Sequence, residues 1–460
     1  MVDSTNRQTL RLLDKSQNVS ERSLSGADTK EFEDELDTAN GINIWQTAIS
    51  LSGVCAGLGF LAVDVLVVST GWIGFFLFIL LYAALLYTSI ILGRCWNMVR
   101  DKWGHERHPY GAIGYEAFGG LARSLINILV AAVCFSNAIV VLMGFSEMTL
   151  TIGGAALEGT LCYWPLAYGL VICPFFWLAT PKSFWWIMAS SFFTVVMSVI
   201  LVITSVFVAG SPTSSGINAT EEVPRESAFF HLTEIAGTVF WLMAQHGCIP
   251  TLQQDMQQPQ GFSKAIILAD LMTLFLTLPV MLALVITYGN TLTNVSGSAI
   301  VYSLLPEDAL KKVSASLIMV HLTGAVLLVN NPLFQYLEEV LHIPIEFSWK
   351  RVVLRSSVLL MQIFVQETVP HFTLLSSISG GFLTPLISFL VPCLFYLRLR
   401  KTYQPEPTKW SMLETIACVV IIAATPCIIV AILFGTGTAI ASGRTAFTVP
   451  CYVNATLAGL

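Results

Sequence analysis

Between Leu271 and Pro306 the chain carries no Asp, Glu, Lys or Arg, and the same holds from Val65 to Gly93, Ser183 to Thr220 and Thr415 to Gly443. A helix needs about 20 consecutive apolar residues to cross the hydrocarbon of a bilayer, so each window is long enough for a span. With 55% hydrophobic and 11% charged residues over 460 positions, the rest of the composition agrees and excludes a water-soluble globule. The chain reads as an all-α polytopic membrane protein.

Cutting the apolar runs at Gly, Pro and charge clusters gives about eleven spans. They fall near 45–69, 70–93, 120–149, 163–180, 184–209, 229–251, 264–289, 313–341, 352–368, 371–397 and 412–437. This divides the chain into a polar tail over 1–40, a transmembrane domain over 41–437 and a short tail over 438–460. The first tail, rich in Ser, Asp and Glu, reads as disordered and lacks the apolar core of a signal peptide.

Basic residues stay in the cytosol, which sets the orientation. With the N-terminus cytosolic, only Arg225, Lys311, Lys312 and Arg444 of the 23 Lys and Arg fall outside. The acceptor patterns at Asn218, Asn294 and Asn454 land on that same outer side, so the chain is expected to be a glycoprotein. Plasma membrane and intracellular vesicle or lysosome membrane both remain open as locations. The ten cysteines lack metal-site spacing and mostly lie in spans, as small buried hydrophobes. Cys162 and Cys451 alone fall in or near outer segments, where a disulfide is one open alternative. No metal, cofactor or nucleic-acid partner is expected, and the net charge of −6 comes largely from the acidic tail.

Two spans carry interruptions. The first holds Ser52-Gly-Val-Cys-Ala-Gly-Leu-Gly59 and the sixth Ala244-Gln-His-Gly-Cys-Ile-Pro250. Glycine costs a helix about 1 kcal/mol against alanine, so the cluster implies either tight crossing or unwinding. The two spans stand five apart, the spacing of two inverted five-helix repeats, and paired broken helices point to a transporter's binding site. Freed N–H groups at a half-helix start suit a carboxylate, and freed carbonyls suit an ammonium. A zwitterionic amino acid satisfies both.

These stretches resemble a known family. Gly237-Thr-Val-Phe-Trp-Leu-Met-Ala-Gln-His-Gly-Cys-Ile-Pro-Thr-Leu-Gln-Gln-Asp-Met-Gln-Gln-Pro259 resembles the sixth helix of the amino acid/auxin permease family, nearest to its vesicular inhibitory amino acid transporter branch. Val369-Pro-His-Phe-Thr-Leu-Leu-Ser-Ser-Ile-Ser-Gly-Gly381 with Val391-Pro-Cys-Leu-Phe-Tyr-Leu-Arg398 resembles its tenth, and Thr70-Gly-Trp-Ile-Gly74 its first turn. The resemblance spans roughly 41–437. It implies eleven helices in a leucine-transporter-like inverted repeat and secondary active transport of amino acids, often driven by protons.

Two positions depart from the family pattern. Val63-Asp64 stands where relatives usually have Leu-Pro, and Pro250-Thr-Leu-Gln253 where they commonly have Pro-x-Leu-Glu. Asp64 lies about 10 Å beyond the glycine cluster at 1.5 Å per residue, toward the outer vestibule. It reads either as a proton-coupling or substrate-ammonium site or as a vestibule residue reaching water. His246 reads either as a second coupling group or as a satisfied structural histidine.

The expected substrate shell is Ser52, Gly53, Ala56, Gly57, Gly59, Phe240, Trp241, Ala244, Gln245, Asn330 and Asn331, the last two at an Asn-Asn-Pro interruption of the eighth span. Protons or sodium are the expected coupling ions. Asp270, Glu338 and Glu339 read as solvated ends near the cytosolic interface. A non-transporting amino acid sensor on the same fold is the alternative. An intramembrane aspartyl protease is excluded by the missing Gly-x-Gly-Asp pattern, and no Gly-x-x-x-x-Gly-Lys motif supports ATP-driven transport.

Overall fold

The computed structural model describes residues 41–56, 67, 70–104, 106–157, 159–178, 185–210, 226–242, 244–288, 301–344, 346–370, 372–404, 411–441 and 449–454. The expectations at Gly57, Gly59, Asp64, Asn218 and Asn294, and for the tail over 1–40, lie outside the described residues.

Every described segment that the sequence assigns to the membrane is helical, in the order α1 (Ile44–Cys55), α2 (Gly71–Trp103), a short α3 (Pro109–Phe118), α4 (Gly120–Gly153), α5 (Trp164–Phe176) and α6 (Trp185–Ala209). There follow α7 (Glu226–Leu242), α8 (Ile249–Gln254), α9 (Phe262–Tyr288), α10 (Ala309–Val340) and α11 (Trp349–Thr368). α12 (Phe372–Ile378) passes through two π turns into α13 (Val391–Tyr403), and α14 (Ser411–Ala441) closes the series. Seven of these stretches are long and apolar enough to cross a bilayer alone. The first and sixth spans are broken, as the sequence implied, while Asn330-Asn331-Pro332 leaves α10 continuous.

Local chemistry sets several ends. An Asn43–Gln46 capping box starts α1, Asp308 Oδ1 accepts from the Lys311 N–H at α10, and Ser348 Oγ accepts from the Arg351 N–H at α11. Large apolar side chains such as Phe275, Leu170 and Val430 are exposed on the outside of the bundle. Such a surface is suited to lipid and untenable in water.

Inside, small polar residues let helices approach. Ser191, Ser198 and Ser205 recur every two turns on α6, all fully buried. Ser198 Oγ lies 2.7 Å from Ser314 Oγ of α10, and Ser191 Oγ 3.0 Å from His321 Nδ1. Gly324 faces Ser191, where an added Cβ would stand 2.7 Å from the serine Cβ. α7 meets the first π turn still more closely: a Cβ on Gly380 would stand 2.0 Å from the Gly237 carbonyl oxygen.

Among the described residues, Arg94, Arg107, Arg123, Arg351, Arg398 and Arg400 gather at one end of the bundle, here called the basic face, where α1 begins. There Glu338 and Glu339 part company. Glu339 is half-exposed, with Oε2 2.9 Å from His108 Nε2 and Oε1 3.6 Å from Arg123 Nη2. Glu338 is not a solvated end: it is 3% exposed, with Oε1 3.0 Å from Arg351 Nε and 2.7 Å from Arg355 Nε. Arg355 also donates to the Phe176 carbonyl at 2.7 Å and to that of Leu178, and its guanidinium covers the Phe334 ring at 4.8 Å. This cluster ties the ends of α5, α10 and α11. On the opposite face Cys162 and Cys451 form a disulfide, the pairing left open by the sequence, which closes the C-terminal segment against the α4–α5 connection.

Candidate functional site

The two broken helices lie side by side. α1 packs against α6, α9 and α10 and ends at Cys55, with Ala56 out of helical geometry (φ −84°, ψ 59°). α7 ends at Leu242, Ala244–Gly247 form a single 3-10 turn, and Pro250 restarts the chain in the first turn of α8. Proline lacks the N–H that a first helical turn leaves unused, so it marks a restart.

On the basic face the same two elements meet again. The Ile42 N–H donates to the Asp255 carbonyl at 2.8 Å and the Gln257 N–H to the Ile42 carbonyl at 2.9 Å. A Cβ on Gly41 would stand 2.7 Å from the Asp255 oxygen, so glycine permits this approach.

At the breaks a chain of polar side chains crosses three helices. The Cys55 thiol donates to Gln245 Oε1 at 3.1 Å, and Gln245 Nε2 donates to Asp270 Oδ1 at 3.4 Å. Tyr82 of α2 donates to the Asp270 carbonyl at 2.8 Å. Ser52 Oγ lies 3.2 Å from Thr273 Oγ1, one turn along α9 from Asp270. Cys55, Gln245, Asp270 and Thr273 are each at most 2% exposed. Asp270 is therefore no interfacial acid. It sits roughly 12 Å along α9 from Phe262 at 1.5 Å per residue, inside the bundle.

His246, fully buried, points elsewhere: its Nε2 lies 3.1 Å from both Thr88 Oγ1 and Ser89 Oγ of α2. Phe240 packs edge-on against Phe389 of the second π turn, centroids 4.8 Å apart, and Trp241 is buried beside it. Gly53 packs against α6, where a Cβ would stand 3.2 Å from the Met188 carbonyl.

Asn330 and Asn331 are buried in α10 with amide partners. Gln362 Nε2 of α11 donates to Asn330 Oδ1 at 2.7 Å and Gln335 Nε2 to Asn331 Oδ1 at 2.6 Å. Pro332 cannot donate to the Leu328 carbonyl four residues before it, and the Cys248 thiol donates there instead at 3.4 Å. The break of the sixth span is thus anchored to α10.

Gln253, the second departure from the family pattern, has a local cause. Its Nε2 faces the Gly93 carbonyl at 3.1 Å, Asn97 Oδ1 at 3.0 Å and the Pro259 carbonyl at 3.0 Å. Two of these are backbone carbonyls, which fix the nitrogen toward them. An amide suits this place and a carboxylate does not.

The structure therefore brings Ser52, Ala56, Gln245 and His246 to one region with Cys55, Tyr82, Asp270 and Thr273, which the sequence reading did not assign to it. The available signal was the spacing Asp270, Thr273, Thr277, three polar residues on one face of an apolar helix, all 1% exposed. Among the described residues no group of acidic, His and Cys side chains has the arrangement of a metal site.

The comparisons with known proteins agree with this architecture. The crystal structure of MhsT in complex with L-phenylalanine superposes with a TM-score of 0.58 at 14% identity, covering 86% of this chain and all of that one. It shares the leucine-transporter fold. Amino acid transporter AVT1B of Arabidopsis thaliana is 24% identical over 399 residues, 84% of this chain and 70% of its own length. AVT1J of the same plant is 23% identical, covering 82% and 88%. The family described as transmembrane amino acid transporter protein matches residues 40–436. The chain belongs to that family of integral membrane proteins.

Proposed function

We propose that this protein is a secondary active transporter, not an enzyme, that moves an amino acid across a membrane by alternating access. The observation that carries the reading is the juxtaposition of two broken helices, linked at their breaks by Cys55 and Gln245 and at their ends by Ile42 and Asp255. Unwound backbone at membrane depth is tolerated only where protein or a cavity satisfies it. Backbone from Ala56 to Gly59 and from Phe240 to His246, including Ala244, holds the carboxylate and ammonium of a zwitterion. Ser52 lines the first-helix side, with Gly53 seating that helix against α6 and Trp241 alongside, and Asn330 and Asn331 support the sixth-helix break through α10. The N-terminus is cytosolic, the domain spans 41–437, and Asn218, Asn294 and Asn454 carry glycans on the other side. Protons are the proposed coupling ion, through Asp64 or His246, with sodium as the competing ion.

Two helix pairings make the motion concrete. Opening toward the basic face separates α1 from α8, which requires the two backbone hydrogen bonds of Ile42 to break. Opening toward the other face moves α7 against the π turns at Gly237 and Gly380. Uptake of radiolabelled L-amino acids into proteoliposomes, under pH and sodium gradients of both directions, tests the reading. Accumulation against a gradient supports it; substrate binding without accumulation under any gradient replaces it with an amino acid sensor on the same fold.

A further inference from the structure

We propose that Asp270 is the group that carries the coupled proton, and that Gln245 reports the state of the two broken helices to it. This rests on the transport reading above and puts Asp270 in the coupling role there given to Asp64 or His246. The carboxyl is 1% exposed, and its Oδ2 has no partner among the described residues. Among the described residues its Oδ1 receives only the Gln245 amide, at a long 3.4 Å. A carboxylate so placed stands in a low-dielectric interior with neutral neighbours, so a proton is what neutralises it.

Among the described residues the surroundings offer no other neutralising charge. From α1 the ionisable neighbour is Cys55, and from α2 it is Tyr82, whose hydroxyl is committed to the Asp270 carbonyl. α6, packed against α9, carries no ionisable residue between Trp185 and Ala209. From the 3-10 turn come Gln245 and His246, and the histidine turns its Nε2 toward Thr88 and Ser89.

What distinguishes Asp270 is its connection to both breaks. Gln245 belongs to the break of the sixth span, and its oxygen accepts from Cys55 at the end of α1. When α1 moves away from α8, the thiol leaves that oxygen and the Gln245 amide is free to rotate. Rotation removes the one donor on Asp270 Oδ1. The proton on the carboxyl is then held differently in the two states of the breaks, which is what coupling requires. In the transport step a proton from water on one side protonates the carboxylate, crosses as the neutral acid with the substrate-loaded state, and is returned to water on the other side.

The test uses the full chain in proteoliposomes, with a mixture of radiolabelled L-amino acids as the probe and two readouts. Counterflow, the exchange of labelled for unlabelled substrate without an ion gradient, reports binding and the motion. Accumulation under an imposed pH difference reports coupling, and one pH unit supports at most about tenfold accumulation at one proton per substrate. Asp270→Asn is expected to keep counterflow and to lose accumulation down to an inside-to-outside ratio of unity. An Asn variant that accumulates like the wild type overturns the proposal.

Should Asp270→Asn fail to fold, Asp270→Glu decides. A shifted pH midpoint for accumulation with unchanged counterflow supports the assignment, and an unmoved midpoint refutes it. Failure of the transport reading looks different: the wild type then binds but never accumulates. In that case proton uptake on adding the same mixture to unbuffered protein, followed with a pH dye, tests Asp270 alone. Uptake lost in Asp270→Asn sustains the residue's role, and uptake unchanged by it ends that role.

Discussion

Replacing Gln253 with Glu restores the residue that relatives commonly carry, yet the structure expects this protein to lose stability. Gln253 is fully buried, and its amide nitrogen faces three oxygen acceptors at 3.0–3.1 Å, joining α2 to the turn before α9. A carboxylate offers none of them a hydrogen. The amide has two N–H hydrogens to share among these acceptors, so at about 1 kcal/mol for each hydrogen bond lost the floor is about 2 kcal/mol, before any repulsion between the carboxylate and the two carbonyls. The neighbouring change Gln254→Glu supplies the control. That side chain is partly exposed and makes one hydrogen bond, to the Gly104 carbonyl at 2.7 Å, so its loss costs about 1 kcal/mol.

Thermal unfolding of purified protein in one detergent, followed by loss of the monodisperse peak on size exclusion, gives the comparison. Gln253→Glu should unfold several degrees below both wild type and Gln254→Glu at neutral pH. Acid should narrow the gap, because the carboxyl introduced by Gln253→Glu regains one donor when it is protonated. Equal stability of the two variants, or a gap that widens in acid, would show that the nitrogen does not face these acceptors and would remove the local reason given for this departure.

Three further outcomes are expected. Glu338→Gln leaves Arg351 and Arg355 buried without their carboxylate and should cost about 3–5 kcal/mol, whereas Glu339→Gln, at a half-exposed residue paired with His108 and Arg123, should cost about 0–1 kcal/mol; the same unfolding assay ranks them. Gly380→Ala brings a Cβ onto the Gly237 backbone and should destabilise by at least about 1–3 kcal/mol, while Gly437→Ala in α14, with open space at its Cβ, should not destabilise. Alkylation of denatured, unreduced protein should modify eight of the ten cysteines, with peptide mapping recovering Cys162 joined to Cys451; ten modified thiols would refute the bridge.

The sequence determined the spans well because apolarity over about 20 residues is a local property that lipid reads directly. Expected segments 120–149, 184–209 and 264–289 correspond to Gly120–Gly153, Trp185–Ala209 and Phe262–Tyr288. The main discrepancy is that α2 and α10 extend beyond the apolar windows, through Arg94 to Lys102 and through Lys311 and Lys312, since a helix continues into water once its ends carry charged residues. The breaks were legible too, as Gly and Pro act on the backbone where they stand.

What the sequence left undecided was which polar side chains meet. Cys55 and Gln245 lie 190 residues apart and Ser191 and His321 130 apart, and their pairing depends on how each helix is rotated about its axis. Asp270 shows the reason most clearly. Read along the chain, it stands near Lys264 and so near an interface; in three dimensions its side chain turns inward, against α1 and the sixth-helix break. Hydropathy measures how far a segment is buried in the membrane, and only helix packing decides whether a given side chain faces lipid, water or the interior.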